Sequence, residues 1–329
     1  MTAALTLTDL SVGFRVGDVF VPAVDGVSLS VGRGEIVGLV GESGCGKSTL
    51  ANAVMGLLPD SAQVSGSVLL DGRELVGLDD DELRSLRGDT VSMVFQDPST
   101  SLDPVWPVGD QVAETIRAHR GVSRRQARTE AVRLMTEVGI PAAAERYADP
   151  PHRLSGGMRQ RIVIAAALAN SPQVLLADEP TTALDVTIQA QILSLIGTLR
   201  EQRGTAVLLI THDLGVVAQV CDRVGVMYAG RLVEVGTAQA LFDHPQHPYT
   251  RALLGALPGA SARSASGRAG RLADIPGQVP DLAQRTDGCR FASRCPLRTE
   301  VCGQSPVLQG SPTSAVACWH ADQRTPVVR

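Results

Sequence analysis

The sequence predicts an α/β fold with an inserted helical subdomain and a short cysteine-rich segment at its carboxyl end. Residues 35–40, Glu-Ile-Val-Gly-Leu-Val, lead into a glycine-rich loop, and a helical pattern then begins at Lys47. Such a short apolar run is typical of a parallel strand that is buried on both faces. Strand patterns stop between about residues 109 and 169, where the apolar residues have helical spacing. Together these patterns favour a parallel sheet that carries a helical insertion.

The remaining elements follow from the same rules. Strands are predicted where apolar residues alternate or cluster, at residues 5–10, 26–31, 68–70, 91–95, 174–176, 206–210, 224–228 and 232–235. A helix over residues 47–58 should stop at Pro59, and two more helices are predicted over residues 124–138 and 158–169. Beyond residue 257 the composition changes to Pro, Gly, Ser, Ala and Arg, which is typical of a linker.

Composition and charge limit the classes of function. The chain has 329 residues, of which 44% are hydrophobic, enough for one large domain and a small one. The net charge of −4 gives no overall basic field that would favour nucleic acid as a partner. The first nine residues lack a signal-peptide pattern, and the longest apolar run, residues 162–169, is shorter than the roughly 20 residues that span a membrane. We therefore expect a soluble chain that reaches any membrane through a partner.

Residues 41–49, Gly-Glu-Ser-Gly-Cys-Gly-Lys-Ser-Thr, fit the pattern of a phosphate-binding loop. Its glycines let successive backbone N–H groups surround phosphate oxygens, and the following helix adds its positive end. Lys47 is the single lysine among 30 basic residues, and it should reach the β- and γ-phosphates while the Ser48 hydroxyl ligates Mg²⁺. A glycine turn without a ligand is the alternative, but the strand before and the helix after favour a phosphate loop. The predicted nucleotide-binding residues here are Gly41, Ser43, Gly44, Cys45, Gly46, Lys47, Ser48 and Thr49.

A second pattern places two carboxylates at the end of an apolar strand. Residues 174–179 read Val-Leu-Leu-Ala-Asp-Glu, an unusual position for uncompensated charge. Asp178 is suited to hold Mg²⁺ through water, and Glu179 to orient or deprotonate the attacking water at the γ-phosphate. Helix-capping carboxylates before Pro180 are the alternative interpretation. The preceding phosphate loop makes that alternative weak.

Residues 154–161, Leu-Ser-Gly-Gly-Met-Arg-Gln-Arg, resemble the signature motif of the ATP-binding cassette (ABC) family. The resemblance extends over roughly the first 255 residues. It implies an ABC-type P-loop NTPase fold, with an antiparallel β subdomain and a helical subdomain at about residues 97–169. It also implies that Ser155, Gly156 and Gly157 contact the γ-phosphate of ATP held by the opposite subunit of a sandwich dimer. Serine and glycine N–H groups before a helix suit such an anion.

Other residues match the family one by one. Gln96 resembles the glutamine that senses Mg²⁺ and links hydrolysis to the membrane subunit, and Asp185 the aspartate that communicates across the dimer. His212, in a Thr-His-Asp context after a strand, resembles the histidine that contacts the γ-phosphate. Lys47, Glu179 and His212 thus form the predicted catalytic set. Phe14 is the candidate for stacking on adenine, with Phe20 as the alternative.

Several segments resemble the branch of oligopeptide, dipeptide and nickel importers, namely residues 96–104, 185–191, 247–253 and 288–296. This resemblance implies an ATP-hydrolysing subunit at the cytoplasmic face of the membrane that energises uptake of di- or oligopeptides. Implied partners are a second homologous ATPase subunit, two transmembrane permease subunits and an extracellular substrate-binding protein, but no nucleic acid. Alternatives are an importer ATPase for nickel or another small solute, and a soluble ABC ATPase without a transport role.

The chain is accordingly divided into three parts. Residues 1–257 are predicted to form the nucleotide-binding domain, residues 258–272 a linker, and residues 273–329 a C-terminal cysteine-rich domain of the oligopeptide/dipeptide-transporter type. These boundaries rest on the change in composition and on the resemblance.

Four of the six cysteines lie in the tail, at Cys289, Cys295, Cys302 and Cys318, with gaps of five, six and fifteen residues. Disulfides are uncommon in the reducing compartment expected here, so the grouping favours metal ligation. The spacing lacks the tight pairs of a zinc ribbon and by itself leaves an iron–sulfur cluster, zinc and free thiols open. The resemblance implies a [4Fe–4S] cluster with a structural or redox-sensing role.

Overall fold

The computed structural model describes residues 3–17, 19–182, 184–256, 275–280 and 287–321. The strands in chain order are β1 Ala3–Val16, β2 Val19–Gly32, β3 Ile36–Val40, β4 Ala62–Leu70, β5 Arg73–Glu74, β6 Val91–Val94, β7 Val174–Asp178, β8 Ala206–Thr211, β9 Arg223–Tyr228, β10 Arg231–Thr237, β11 Gln309–Ser311 and β12 Ser314–Val316. The helices are α1 Lys47–Met55, α2 Asp80–Leu86, α3 Pro98–Ser101, α4 Val108–His119, α5 Arg124–Glu137, α6 Ala143–Arg146, α7 Gly156–Ala167, α8 Val186–Arg203, α9 Leu214–Val220, α10 Ala238–Asp243 and α11 Pro248–Gly255. Short 3₁₀ turns lie at Pro151–Arg153, Ala292–Arg294 and Glu300–Gly303.

The described strands form two sheets. The larger has the order β11-β12-β10-β9-β3-β8-β7-β6, in which β9, β3, β8, β7 and β6 run parallel and the rest are antiparallel. The smaller is antiparallel throughout, with the order β2-β1-β4-β5. The predicted α/β fold with an antiparallel β subdomain is confirmed.

The parallel sheet is buried on both faces because apolar layers cover each side. Successive residues of β3 alternate between two hydrophobic cores, so that Ile36 and Val40 pack toward the helices while Val37 and Leu39 face α1 and the antiparallel sheet. All five residues of this strand are buried. Its continuous apolar run was therefore a reliable signal for a central parallel strand.

The helical subdomain follows β6. From residue 95 to residue 173, all of which the structure describes, the chain forms helices α3 to α7 and a 3₁₀ turn without a strand. Its apolar residues join the larger core through Val112, Ile116 and Leu134. The predicted helical insertion is confirmed.

The ends of several elements differ from the sequence expectation. Helix α1 stops at Met55, before Pro59, because Gly56 adopts a left-handed conformation with φ 62°. The Gly56 N–H caps the helix by donating to the carbonyl oxygens of Ala53 and Asn52. Strands β1 and β2 are longer than predicted, since they pair with each other from Ala3 to the turn before Val19. Pairing between strands, which a single strand's pattern cannot show, sets these lengths.

The described part of the cysteine-rich tail extends the larger sheet. Strand β12 pairs with β10, with Glu234 opposite Val316 and Gly236 opposite Ser314. The predicted linker, residues 258–272, lies outside the described residues. The three-part division of the chain stays a prediction.

Within the described residues, no helix has both the length and the apolar character needed to cross a membrane.

His247, at the start of α11, is a buried residue whose environment makes stability depend on pH. It is 1% exposed, its Nδ1 accepts a hydrogen bond from the Tyr249 N–H at 3.0 Å, and its own N–H donates to Glu234 at 2.9 Å. Burial, assisted by the charge of Arg251, lowers the pKa of His247 to about 3. The histidine therefore stays neutral in the folded chain at pH values where the unfolded chain protonates it.

We predict that an H247N variant loses part of the acid sensitivity of the wild type. Between about pH 6.5 and pH 3 the unfolded chain binds a proton at His247 that the folded chain does not, so stability falls as pH falls through this window. Asparagine is also a good helix cap and does not titrate. Thermal melts at pH 7, 6 and 5 should show a smaller drop in melting temperature for H247N. Equal drops for both proteins would contradict the prediction.

Candidate functional site

The loop between β3 and α1 has a backbone that side chains would obstruct. Gly46 directly precedes α1 with φ 100°, and a Cβ there would lie 2.3 Å from the Ala23 carbonyl oxygen. A Cβ on Gly41 would lie 2.1 Å from the Met227 carbonyl oxygen. Glycine is needed at both positions because the loop is packed against neighbouring backbone. Glycines with such a backbone are what a phosphate-binding loop requires.

Lys47, the first residue of α1, is buried, with 6% of its surface exposed. Its Nζ donates to the carbonyl oxygens of Gly41 at 2.8 Å and Glu42 at 3.0 Å. Carbonyl dipoles thus hold the ammonium group at the loop, where it can turn to phosphate oxygens. The loop sets both the position and the surroundings of this cation.

The other predicted loop residues lie around this lysine. Cys45 is fully buried and its carbonyl oxygen accepts from Gly230 N–H at 3.0 Å. Burial raises the pKa of the Cys45 thiol. Gly44 has φ 78°, Ser43 and Ser48 are exposed, and Thr49 lies in the first turn of α1.

Asp178 ends β7 and is 4% exposed. The Ser48 hydroxyl lies near this carboxylate, and the carboxylate Oδ1 has no hydrogen-bond partner among the described residues. Burial, with the nearby Glu179 charge, raises the pKa of Asp178, although Ser48 and Lys47 act in the opposite direction. A buried carboxylate oxygen without a partner, beside a hydroxyl, is a donor set that fits Mg²⁺. Ser48 and Asp178 would hold this ion.

Glu179, which follows β7, contacts side chains that follow the two neighbouring strands, β6 and β8. Gln96, which follows β6, donates to Glu179 Oε2 at 3.1 Å, and His212, which follows β8, lies with Nδ1 3.1 Å from Oε1. Thr182 also donates to Oε2, at 2.8 Å. The structure therefore brings Gln96, Glu179 and His212, which are far apart in sequence, into direct contact.

The backbone and charge state of Glu179 are both unusual. It has φ 47°, a left-handed conformation that is strained for a residue other than glycine, and its N–H donates to Ile210 at 2.8 Å. Burial alone would raise the pKa of this carboxyl, but hydrogen bonds from His212 and Thr182 and the charges of His212 and Lys47 lower it below its ordinary value. At neutral pH the residue is a carboxylate, as a base or water-orienting group must be.

The turn that starts α7 consists of its N-cap residue Ser155 and its first two residues, Gly156 and Gly157. Ser155 is exposed and caps the helix by accepting from the Met158 N–H at 3.3 Å. A Cβ on Gly157 would lie 2.7 Å from Ile188, so the glycine lets α7 approach α8 closely. Asp185 caps α8 by accepting from the Ile188 N–H at 2.9 Å, and it is exposed. The turn and Asp185 thus lie side by side at the surface of this chain.

The two aromatic candidates for adenine differ in exposure. Phe14, in β1, is half-buried and packs against the core beneath the antiparallel sheet. Phe20, in β2, is 45% exposed, and its ring lies over Gly13, where a Cβ would be 2.0 Å away. Both rings belong to the antiparallel sheet, so the assignment between them needs a binding measurement.

The four tail cysteines are near one another but do not form a coordination site. Burial and the neighbouring thiols Cys302, Cys295 and Cys318 raise the pKa of Cys289 to about 11, and the Cys289 N–H donates to the Cys302 carbonyl at 2.9 Å. Among the described residues, however, no three His, Cys, Asp or Glu side chains are placed to hold a metal ion. This arrangement gives the predicted [4Fe–4S] cluster no support.

Sequence reasoning assigned no role to several residues that the site uses. Thr182 follows Glu179 by three residues, and this short spacing is a signal that its hydroxyl can contact the carboxylate. Glu42 is bound by Arg294, which is 252 residues away, and by Tyr249. No local pattern indicates contacts at such a separation.

Comparison with known proteins places this site in a family. Residues 24–182 match the family model described as ABC transporter, and residues 233–302 match that of the oligopeptide/dipeptide transporter C-terminal region. The chain is 48% identical over 330 residues to the dipeptide transport ATP-binding protein DppD of Bacillus subtilis, covering 98% of this chain and 96% of that protein. The chain belongs to the ABC transporter family. It also shares 46% identity with the oligopeptide transport ATP-binding protein OppD of Salmonella typhimurium, covering 96% of this chain and 93% of that one.

Solved structures support the same placement. The ATP-binding cassette MJ0796, solved as a dimer in a post-hydrolysis state with ADP and Pi, superposes with a TM-score of 0.64. It is 32% identical, and the match covers 71% of this chain and 98% of that chain. The protein cbiO1 from Clostridium perfringens, part of a cbiONQ complex, matches with a TM-score of 0.63 and 28% identity, over 74% of this chain and 92% of that chain. The predicted family and fold are confirmed.

We predict that a D178N variant is more stable than the wild type when no cation is present. Burial raises the pKa of Asp178, so its charge is unfavourable in the empty site, and asparagine has the same shape without the charge. Thermal melts in EDTA should give a higher melting temperature for D178N. Addition of Mg²⁺ with ATP should then stabilise the wild type but not the variant.

A D60N variant is the matched control, since Asp60 is exposed and lies away from β7. Its melting behaviour should follow that of the wild type in both conditions. A higher melting temperature for the wild type than for D178N in EDTA would show that the buried charge of Asp178 does not destabilise the fold.

Proposed function

We propose that this chain is the ATP-binding and ATP-hydrolysing subunit of an importer that takes up di- or oligopeptides. The observation that carries the proposal is the contact of Glu179 with both Gln96 and His212, at the edge of the sheet where Lys47 and Asp178 also lie. A carboxylate held in this way, beside a buried cation and a phosphate loop, suits the hydrolysis of a phosphoanhydride.

The chemistry uses position and charge more than covalent steps. The loop N–H groups and Lys47 bind the β- and γ-phosphates and stabilise the negative charge that spreads over the γ-phosphate oxygens. Glu179 accepts a hydrogen bond from the attacking water and aligns it with phosphorus. His212 and Thr182 hold the Glu179 carboxylate in place before the water arrives.

Mg²⁺ is the expected metal ion, with Ser48, Gln96 and Asp178 as the residues that would hold it. When bound, it would neutralise phosphate charge and relieve the unpaired Oδ1 of Asp178. Gln96 is placed to respond to events at this site because it donates to Glu179. Its segment continues directly into the helical subdomain through α3, a route by which hydrolysis could reach a membrane subunit.

A second homologous ATPase subunit would complete the site. Ser155, which is exposed, and the half-buried Gly156 and Gly157 form a turn at the positive end of α7, beside the exposed Asp185. That turn suits the γ-phosphate of a nucleotide held by a partner, and the related cassette MJ0796 was solved as a dimer. In this dimer each nucleotide would lie between one phosphate loop and the opposite turn.

The cargo and the other partners are proposed from the relatives. The similar proteins are named for dipeptide and oligopeptide transport, and the tail matches the corresponding C-terminal model. We place the subunit at the cytoplasmic face of the membrane, bound to two permease subunits that receive peptides from an extracellular binding protein. We do not expect nucleic acid to be a partner of this assembly.

We predict that an E179Q variant still binds ATP but hydrolyses it at least about a hundredfold more slowly, since it loses the base that aligns the water. Phosphate release by the assembled complex measures this. The matched control is E201Q, which neutralises an exposed carboxylate of α8 with 71% of its side chain accessible. Hydrolysis by E179Q at the wild-type rate would refute the proposed role.

A further prediction separates the aromatic candidates. If Phe14 stacks on adenine, F14A should weaken ATP binding by about tenfold and leave the binding of inorganic tripolyphosphate unchanged, because the triphosphate contacts remain. Titration calorimetry measures both ligands. F20A is the matched comparison, and a loss confined to F20A would move the assignment to Phe20.

A further inference from the structure

Arg294 is a buried arginine of the cysteine-rich tail that reaches the phosphate loop. It ends the 3₁₀ turn Ala292–Arg294 and is 8% exposed. Its guanidinium forms a two-pronged pair with Glu42, with Nη1 to Oε2 at 2.7 Å and Nη2 to Oε1 at 3.0 Å. Planar, two-pronged pairs of this kind are the strongest and most specific that arginine makes.

The remaining donors of this guanidinium are also used. Nε donates to the Pro276 carbonyl at 2.9 Å, Nη2 to Ile275 at 3.2 Å and Nη1 to the Tyr228 hydroxyl at 3.3 Å. With the two bonds to Glu42, every one of the five N–H groups of an arginine has a partner. A side chain satisfied in this way is held rigidly, so it fixes the position of the carboxylate that it binds.

Glu42 is the second residue of the phosphate loop, and its backbone has further contacts. Its N–H donates to the Tyr249 hydroxyl at 3.0 Å, and its carbonyl accepts from Lys47 Nζ at 3.0 Å. One residue thus carries the pair with Arg294 and one of the contacts that hold the catalytic ammonium. Any movement of Glu42 would be passed to Lys47.

Aromatic rings join the same segments. Tyr228 of β9, Tyr249 of α11 and Phe291 of the tail lie with ring centroids 4.6 to 5.4 Å apart, and all three are almost fully buried. Such contacts add stabilisation beyond burial alone. The turn that carries Arg294 is therefore anchored on the nucleotide-binding core.

A second arginine of the tail, Arg290, supports the phosphate loop through neighbouring residues. Arg290 pairs with Asp25 and donates to the Ala229 carbonyl. The next residue, Gly230, donates its N–H to the carbonyl of Cys45 in the phosphate loop. The tail thus contacts the loop at Glu42 and supports the turn that holds Cys45.

The negative charge of Glu42 explains why its pair with Arg294 matters for nucleotide binding. An anionic side chain in a loop that receives a triphosphate would repel the ligand, and repulsion is strong where water is excluded. Arg294 neutralises the charge of that carboxylate through its two-pronged ion pair. Removal of Arg294 would leave an unpaired carboxylate on the second residue of the loop.

We infer that Arg294 is a positioning residue for nucleotide binding: through Glu42 it sets the charge and the shape of the phosphate loop, so the tail controls the affinity for ATP. This inference rests on the proposed ATP site. It adds a function to the tail that requires neither a metal nor the transported cargo.

The test compares the dissociation constants of ATP for full-length variants by titration calorimetry. R294Q should raise this constant by about tenfold, while R298Q, which removes an exposed arginine from the same segment, should leave it unchanged. The double variant E42Q/R294Q removes both charges and should bind ATP within about twofold of the wild type. R294K keeps the charge without the planar fork and should fall between R294Q and the wild type.

Rescue by the second substitution distinguishes charge from mere support. If Arg294 only held the tail in place, E42Q would not restore ATP binding to R294Q, and that result would overturn the inference. Binding by R294Q as tight as that of the wild type would overturn it as well. If the wild type itself bound no ATP, the proposed function would fail instead.

Folding is monitored by thermal melts of each variant. If R294Q does not fold, E42Q alone decides, since it removes the charge of the carboxylate and leaves the positive charge of Arg294 in place. The inference requires E42Q to bind ATP at least as tightly as the wild type. Weaker binding by folded E42Q would contradict it.

Discussion

The carboxyl edge of the parallel sheet is the constraint on which the rest of this molecule depends. Adjacent strands β3, β8, β7 and β6 end there, and their ends bring together Lys47, His212, Asp178, Glu179 and Gln96, of which Lys47 and Asp178 are buried. Ligands bind at this edge in open α/β sheets because parallel strands deliver such residues to one place. The site is therefore a property of strand order as much as of residue identity.

Burial of charge at this edge is unfavourable until partners are present. Lys47 rests on loop carbonyls, while one oxygen of Asp178 has no partner among the described residues. Glu179 holds a left-handed backbone conformation that costs on the order of 1–3 kcal/mol. Contacts with Gln96, Thr182 and His212 offset part of this cost and fix the carboxylate. The site is thus suited to an anionic ligand that arrives with a cation.

The tail is built into the nucleotide-binding core. Strand β12 pairs with β10, and Phe291 packs into the larger core beside Tyr228 and Tyr249. The C-terminal family model begins within β10 and extends through residue 302, so it spans the same packed region. Arg294 shows why this packing matters for function, because it joins the tail to the phosphate loop.

Local pattern in the sequence determined the strands around the site, the phosphate loop, the carboxylate pair and the helical insertion. Each of these is encoded by neighbouring residues, as β3 and its apolar run show. The end of α1 depended on the conformation of Gly56, and the contacts of Glu179 depended on the order of β6, β7 and β8. The pair of Arg294 with Glu42 joins residues 252 positions apart. Only the tertiary structure decides such contacts, because chain folding, and no periodicity, brings the two charges together.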